Sequence, residues 1–272
     1  MKKLFVILLA FIFATFSVAG TTTELPVDEH RGWWFETIDL DARDYAYNIV
    51  NDITRKGDTA IRFELRDGDC YTAYPENPSS GWDDCTRDRE RTEVRERWNP
   101  PLEKSVWYAF SMFIPEDYEP MYPKQIFFQW HGGPAPVIYY HLNENKFHVD
   151  ILAEVAVTTT QYTFGDDILT LGEWHDFEVN IVWSADAQAG RMILYVDGVK
   201  LIDYSGATLP IEVHQNILFG TEKSPEVKFG IYRSHLFRWT EDRPHPTHVL
   251  YFDEYRRGLF QSDVDLDNYE GD

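Results

Sequence analysis

Three segments that lie far apart in the sequence place charged or hydrogen-bonding side chains at every second position. They are Arg91-Thr-Glu-Val-Arg95, Gln129-Trp-His131 and Lys228-Phe-Gly-Ile-Tyr232. Successive side chains of a β-strand point to opposite faces, so each segment would have one polar face and one apolar face. Arginine and glutamine can hydrogen-bond a carboxylate, while histidine and tyrosine can transfer protons. Together these residue types could neutralise a substrate carboxylate and move a proton beside it.

The second segment belongs to a longer alternating stretch, residues 124–133, which we expect at the centre of the fold. Alternation predicts a polar face with Gln125, Phe127, Gln129 and His131. It predicts a core face with Ile126, Phe128 and Trp130. A simpler interpretation is that the glutamines and the histidine only coat a solvated sheet face.

Residues 87–97 form the densest cluster of charge in the chain. As a helix, this run would be a solvated ladder of ion pairs. Thr92, Val94 and Trp98, with two prolines close behind, favour a strand instead. We expect this strand beside the strand of His131. The shared face would then be locally positive, and the cations expected on it are Arg89, Arg91, Arg95, Lys228 and Arg233.

The rest of the chain reads as short strands separated by Gly, Pro, Asn and Asp clusters, with almost no helical period. Residues 191–202 predict a hairpin, because Asp197-Gly198 suits the positive φ angles of a tight turn. Many short strands of this kind are typical of an all-β sandwich of two antiparallel sheets, and we predict a jelly roll with a concave groove.

The first twenty residues have the pattern of a secretory signal peptide: a basic start, a short apolar run and small residues before Gly20. We therefore exclude residues 1–20 from the fold and predict a single domain over residues 21–272. The mature protein would be secreted, to the periplasm or the extracellular medium. In an exported chain Cys70 and Cys85 predict a disulfide worth about 3 kcal/mol, the alternative being two free thiols.

Acidic side chains outnumber basic ones by 46 to 25, which gives a formal net charge of −21. This excess argues against nucleic acid or an anionic membrane as a partner. It does not exclude an anionic substrate, because a basic groove can exist on an acidic protein. We expect a monomer.

The three polar segments resemble motifs of known lyases. Arg91-Thr-Glu-Val-Arg95, Gln129-Trp-His131 and Lys228-Phe-Gly-Ile-Tyr232 resemble three strands of the jelly-roll alginate lyases. The stretches around Gln129, Trp174 and Tyr232 are more similar to the heparin lyase I and glucuronan lyase group. The resemblance spans residues 61–258. It departs at Val94 and Trp130, which both face the predicted core, and it lacks the N-terminal glutamine of heparin lyases.

The resemblance implies a lyase that cleaves a uronic-acid polymer, glucuronan-like or alginate-like, by β-elimination. The residues that it implies for catalysis are Arg91, Gln129, His131 and Tyr232, with the first two on the substrate carboxylate and the last two as base and acid. Tyr232 is implied as the acid for one stereochemistry and as both base and acid for the other. The residues expected to bind the anionic polysaccharide are Arg89, Glu93, Arg95, Lys228, Tyr139 and Arg233.

Two other functions are weighed against the lyase. A laminarinase-type hydrolase needs closely spaced carboxylates on one strand, and Glu116-Asp-Tyr-Glu119 has the wrong spacing. A non-catalytic carbohydrate-binding module could use the same groove, with Tyr139, Tyr140 and Trp130 as stacking platforms, although the alternation places Trp130 on the core face. No cofactor or metal is required. A structural calcium at residues 263–267 is conceivable, but Asn268 stands where an EF-hand needs glycine, which favours a solvated acidic tail.

Overall fold

A computed structural model describes residues 21–22, 33–36, 43–72, 81–133, 135–143 and 146–266. The predicted signal peptide lies outside these residues. The described strands, in chain order, are β1 (Thr21–Thr22), β2 (Trp33–Glu36), β3 (Tyr47–Val50), β4 (Ala60–Leu65), β5 (Arg89–Glu96), β6 (Ser105–Phe113), β7 (Gln125–Gly132), β8 (Ala135–Asn143), β9 (Lys146–Ile151), β10 (Thr160–Phe164), β11 (Trp174–Val182), β12 (Arg191–Val196), β13 (Val199–Ser205), β14 (Glu226–Ser234) and β15 (His248–Gly258).

These strands form two antiparallel sheets, which confirms the predicted all-β class. Sheet A has eight strands in the order β13-β12-β11-β6-β15-β4-β3, with β1 also paired to β15. Sheet B has seven strands in the order β10-β9-β8-β7-β14-β5-β2. Strands β7 to β10 and β11 to β13 are neighbours in chain order, but β14 lies between β7 and β5, so the centre of sheet B is assembled from three separate regions of the chain.

The core lies between the two sheets and is dominated by aromatic rings. Phe110 of sheet A stacks on Phe128 of sheet B, with ring centroids 4.0 Å apart. Phe229 of sheet B contacts Phe252 of sheet A, with centroids 5.1 Å apart. Aromatic side chains bury large areas, and such pairs add attraction beyond that burial. They fix one face of sheet B against sheet A and leave its other face for polar side chains.

Helical structure is scarce in the described chain. It consists of α1 (Ile211–Leu218) and the 3₁₀ helices Leu236–Arg238 and Gln261–Asp263. Among the described residues, none of the helices is long and apolar enough to cross a membrane.

Three local predictions are confirmed. Cys70 and Cys85 form a disulfide, with their Cα atoms 5.0 Å apart. Strands β12 and β13 form the expected hairpin, and Asp197 and Gly198 both have positive φ at its turn, 49° and 73°. The charged run is also extended rather than helical, because it provides strand β5.

Candidate active site

The three polar segments do meet, at the centre of sheet B. Strand β14 lies between β5 and β7 and pairs Tyr232 with Arg91 on one side and Lys228 with Gln129 on the other. The prediction that the strand of Arg91 lies beside that of His131 is therefore wrong. Alternation within a strand shows which side chains share a face, but it does not determine which strands are neighbours. We call the face of sheet B turned away from sheet A the polar face; it carries Arg91, Glu93, Gln129, Lys228 and Tyr232.

Strand β14 packs closely against β5, and side chains of β5 and β7 meet across it. Gly230 has a φ of 136°, and a Cβ there would lie 2.3 Å from the carbonyl oxygen of Thr92. Gln129 Nε2 of β7 donates a hydrogen bond across β14 to Glu93 Oε1 of β5 at 2.6 Å. Both side chains are buried, at 1% and 0% exposure. The amide of Gln129 is thus held in one orientation.

Arg91 lies between two buried carboxylates. Its Nε donates to Asp84 Oδ2 at 2.8 Å, and its Nη1 donates to Glu93 Oε2 at 3.1 Å. Asp84 precedes Cys85, so the disulfide loop holds this carboxylate beside strand β5. Bonds of this charge-assisted kind are stronger than neutral ones and fix the guanidinium plane. The cation expected to meet a substrate is preorganised, and two protein carboxylates already offset its charge.

Tyr232 lies against Arg91. The guanidinium carbon is 4.3 Å from the centre of the phenol ring. The tyrosine is 8% exposed and shares an apolar cluster with Ile126, Tyr139 and Leu152. Burial raises the pKa of Tyr232 to about 12, against the opposing effect of Arg91. The phenol therefore keeps its proton at neutral pH, which suits a proton donor.

His131 lies far from Tyr232 along the strands. It pairs with Glu226, whereas Tyr232 pairs with Ile126. Glu226 and Tyr232 are six residues apart on β14, which corresponds to about 20 Å at the rise of a β-strand. One sugar ring cannot contact both side chains. The structure does not bring the expected base and acid together.

The alternation of β7 is interrupted near Tyr232. The pairing of β7 with β8 shifts between Ile126 and Phe128. As a result Phe127 and Phe128 both join the core, while Ile126 packs beside Tyr232. The predicted faces of Ile126 and Phe127 are wrong, because an irregularity of this kind changes which face the preceding residues point to.

The other residues expected to bind substrate differ in their burial and in their contacts. Arg95 Nε lies 3.5 Å from Glu226 Oε2, and Lys228 is buried at 4% exposure. Arg89 is half-buried at the start of β5. Tyr139 is buried on the polar face, where Lys124 Nζ donates to its hydroxyl.

Arg233 does not reach the polar face. It is fully buried and its Nη2 lies 2.6 Å from Glu90 Oε2. Its Nη1 donates to the carbonyl oxygen of Pro246 at 2.6 Å. Phe229, Ile231 and Arg233 occupy every second position of β14 and therefore point to the same face of the sheet. Since Phe229 and Ile231 face the core, Arg233 does too. The expectation that Arg233 adds charge to the groove is wrong.

Sequence reasoning missed a second polar group on the same sheet face. His141 Nε2 lies 3.4 Å from Asp150 Oδ1, and the rings of His141 and His148 stack with centroids 4.8 Å apart. Lys124 Nζ lies 3.8 Å from Asp150 Oδ2. Burial lowers the pKa of His141, so this imidazole is neutral at pH 7. The alternation in Tyr139-Tyr-His141 and His148-Val-Asp150 was the signal that could have revealed it.

His141 lies in the same row of the sheet as Tyr232. Ile126 pairs with Tyr232 on one side and with His141 on the other. Two strand spacings, about 10 Å, separate the backbones of the histidine and the tyrosine. His141 is therefore much nearer to Tyr232 than His131 is.

One group of described residues has the composition of a metal site. The ligand atoms of Asp67, Glu90 and His245 lie within 4.8 Å of one another. His245 Nδ1 already lies 2.7 Å from Asp67 and 3.0 Å from Glu90, and Arg233 offsets the charge of Glu90. The group is thus internally paired. In the acidic stretch 263–267, where the sequence favours a solvated tail over a calcium site, Asp263 Oδ2 accepts the backbone N–H of Phe260, and Asp267 lies outside the described residues.

A two-sheet antiparallel sandwich with Arg, Gln, His and Tyr on one sheet face is the architecture of a jelly-roll carbohydrate-active enzyme. Residues 25–256 match the model of a family described as polysaccharide lyase, so the chain belongs to that family and is a polysaccharide lyase. No curated protein sequence matches it. The resemblance to polysaccharide lyases drawn from the three motifs is confirmed.

Solved structures similar to this chain share its fold. The endo-β-1,4-glucuronan lyase of the fungus Trichoderma reesei has a TM-score of 0.62 at 17% identity, and the alignment covers 87% of this chain and 99% of the glucuronan lyase. Alginate lyase A1-II′, of polysaccharide lyase family 7, has a TM-score of 0.54 at 14% identity, with 84% and 94% covered. A β-glucanase catalytic domain from Podospora anserina has a TM-score of 0.51 at 11% identity, with 82% of each chain covered.

Proposed function

We propose that this lyase cleaves a uronic-acid polysaccharide of the glucuronan or alginate kind by β-elimination, with Tyr232 as the proton donor. The observation that carries the proposal is the buried phenol of Tyr232 against the guanidinium of Arg91. In the reaction, a base removes the proton next to the sugar carboxylate. The carbon–carbon double bond forms as the glycosidic bond breaks, and the leaving oxygen takes a proton from the acid.

The protonation state of Tyr232 fits the second half of this reaction. Its pKa, raised to about 12 by burial, keeps the phenol protonated across the neutral range. A phenol in this state is a ready donor to a departing alkoxide but a weak base. The proton at the sugar carbon must then be removed by another group.

We infer that this base is His141 rather than His131. His141 shares a row of the sheet with Tyr232, whereas His131 lies about 20 Å away along the strands. Asp150 beside His141 can orient the imidazole, in the manner of base and orienting carboxylate pairs. Burial lowers the pKa of His141, so the imidazole is unprotonated and able to accept a proton.

Arg91 and Gln129 supply the hydrogen bonds for the substrate carboxylate in this proposal. An ionised carboxylate resists carbanion formation at the neighbouring carbon, and hydrogen bonds that strengthen as charge develops lower that barrier. Both side chains are fixed through Glu93, which accepts from each of them. Such fixed donors need no reorganisation during the reaction.

Export of the enzyme is a further part of the proposal. The disulfide between Cys70 and Cys85 is supporting evidence, since disulfides persist in oxidising compartments. The pattern of residues 1–20 is that of a signal peptide. The net charge of −21 favours a soluble, monomeric protein, which fits export. It does not exclude an anionic polymeric substrate.

The test is to incubate the protein with glucuronan, alginate, ulvan, heparin and neutral laminarin, and to record the ultraviolet absorbance of the unsaturated product. We expect absorbance with at least one polyuronate and none with laminarin, which has no carboxylate. Binding of polyuronates without any unsaturated product would support a carbohydrate-binding module instead. Reducing ends released from laminarin would indicate a hydrolase.

A further inference from the structure

The cations at the centre of the polar face are largely neutralised. Arg91 is bonded to Asp84 and to Glu93, and Arg95 lies 3.5 Å from Glu226. The expectation that these arginines make the centre of the groove strongly positive is therefore not supported by their contacts. An anionic polymer needs uncompensated cations elsewhere on the same face.

Three other cations converge at the end of the polar face beyond Tyr232. Arg89 begins β5 and pairs in register with Ser234 of β14. Lys124 directly precedes Gln125, the first residue of β7. Arg238 ends the 3₁₀ helix that follows β14, and this helix is fastened to the start of β5 because Phe237 N donates to Asp88 Oδ2 at 2.8 Å.

These cations lack close carboxylate partners. Within the described part of the chain, neither Arg89 nor Arg238 has a carboxylate oxygen within 4.0 Å, and Lys124 has only the long 3.8 Å contact to Asp150. Arg89 Nε is buried with no hydrogen-bond acceptor among the described residues. Asp88, the carboxylate at this end, already accepts a backbone N–H. Uncompensated cations are notable in a chain of net charge −21.

The electrostatic environment agrees with this convergence. His235, in the left-handed conformation with φ of 63°, lies between β14 and the 3₁₀ helix that ends at Arg238. Burial lowers the pKa of His235, and the positive charges of Arg89, Arg238 and Lys124 lower it further. Burial also lowers the pKa of Lys124, and Arg238 adds to that effect. His235 therefore senses the positive charge of all three cations, and Lys124 senses that of Arg238.

We propose that Arg89, Lys124 and Arg238 form an anion subsite that binds the carboxylate or sulfate of a sugar residue next to the residue at Tyr232. The position of this subsite along the polymer rests on the proposed function. Arg89 begins β5 and Lys124 directly precedes β7, the two strands that flank β14, so about 10 Å separates their backbones. Lys124 also contacts Tyr139, whose ring belongs to the same cluster as Tyr232.

The experiment measures binding to the Tyr232→Phe protein, which prevents cleavage under the proposed mechanism. Arg89→Gln and Arg238→Gln are compared with Arg191→Gln, an exposed arginine of sheet A paired with Asp203. The ligands are a glucuronic acid hexasaccharide, its carboxyl-reduced neutral form and a sulfated glucose hexasaccharide, each followed by calorimetry at low and high salt.

We expect each of the two subsite substitutions to raise the Kd of an anionic hexasaccharide about tenfold, the worth of one charge-assisted hydrogen bond. The salt dependence should weaken, and the Kd of the neutral form should stay the same. Arg191→Gln should match its parent. A larger effect on the sulfated ligand than on the uronate would identify sulfate as the preferred group, and the reverse would identify carboxylate.

The subsite and the proposed function can fail separately. If the wild-type enzyme cleaves a polyuronate but neither substitution changes the Kd, the subsite is refuted and the function stands. If no polyuronate is cleaved but both substitutions weaken anion binding, the function is refuted and the subsite stands. Failure of every anionic hexasaccharide to bind would also refute the subsite.

Discussion

The guanidinium carbon of Arg91 lies 4.3 Å from the centre of the Tyr232 ring. The two residues are also paired in register on adjacent strands, so their contact is fixed by the backbone as well as by the side chains. A cation over the ring face is attracted to it, and the same charge favours the phenolate. Burial acts in the opposite direction and prevails, which leaves Tyr232 protonated at neutral pH.

Substitution of this tyrosine is the most direct test of the mechanism. We expect Tyr232→Phe to reduce the elimination rate by about 10²–10⁴, since general acid catalysis contributes a factor of that size. The ring stays in place, so packing against Ile126 and Tyr139 should be kept and thermal stability should change little. The rate is measured from the absorbance of the unsaturated product, with Tyr195→Phe on sheet A as the control. A Tyr232→Phe protein with the rate of the control would refute the proposed role.

The composition of the polar face could be predicted from the sequence, but its assembly could not. The two-residue period correctly placed Arg91, Glu93, Gln129 and Tyr232 on the face opposite the core. It gave no information on strand order, so β14 was not expected between β5 and β7.

Other misses have separate physical causes. The shift near Ile126 changes the face of the preceding residues, and nothing in the residue types there announces it. The ion pair of Arg91 with Asp84 depends on how the disulfide loop folds back, which is a tertiary contact. The error at Arg233 could have been avoided from the sequence. Its position alternates with Phe229 and Ile231, which indicated the core face, and only its charge suggested the groove.

The choice between the two histidines can be decided by a matched pair of substitutions. We expect His141→Gln to lower the elimination rate by about 10²–10⁴ and His131→Gln to lower it far less, because only His141 shares a sheet row with Tyr232. Glutamine retains a polar side chain beside Asp150, and circular dichroism would check that the fold is kept. If His131→Gln were inactive and His141→Gln active, the base would be the histidine that the sequence motif suggested.

Removal of the Arg91 guanidinium should damage the fold as well as the activity. Arg91→Ala leaves the buried carboxylates of Asp84 and Glu93 without their cation. Loss of one member of a buried ion pair costs about 3–5 kcal/mol of unfolding free energy. Arg191→Ala, an exposed pair with Asp203, should cost less than about 1 kcal/mol. Urea denaturation of both variants measures the difference, and equal losses would show that the carboxylates do not depend on Arg91.

Gly230 offers a test of how closely β14 packs against β5. A Cβ at this position would lie 2.3 Å from the carbonyl oxygen of Thr92 and 2.9 Å from Glu93 Cα. Gly57 also has a positive φ, 67°, but nothing lies within 4 Å of its added Cβ. Gly57→Ala should therefore cost about 1–3 kcal/mol from backbone strain alone.

Gly230→Ala should cost clearly more than Gly57→Ala, because its Cβ would push β14 away from the backbone of β5, and it should also lower activity by displacing Arg91 and Glu93 of β5. The comparison uses chemical denaturation and the lyase assay on both variants. Equal costs for the two substitutions would mean that β14 can move away from β5 without penalty, and the close approach of Gly230 to Thr92 would then not matter for stability.

The acid stability of the protein should depend on His248. Its Nε2 donates to the carbonyl oxygen of Glu119 at 2.8 Å, and its Nδ1 faces Arg233 Nη1 at 3.4 Å. Burial, with the charge of Arg233, lowers the pKa of His248 to about 3 from an ordinary value of 6.5. The unfolded chain therefore binds a proton in this range that the folded chain does not. The stability from this group is present above pH 6.5 and is lost as the pH falls towards 3.

We expect that loss to be on the order of 4 kcal/mol between these two pH values. His248→Gln removes the titrating group, while its amide can still donate to Glu119 and accept from Arg233. Unfolding free energies measured at pH 7.5 give the packing cost of the substitution, because the histidine is neutral in both states there. Below pH 6.5 the free energy of the variant should fall less steeply than that of the wild type. Parallel curves for the two proteins would show that burial and the charge of Arg233 do not keep His248 neutral in the folded protein.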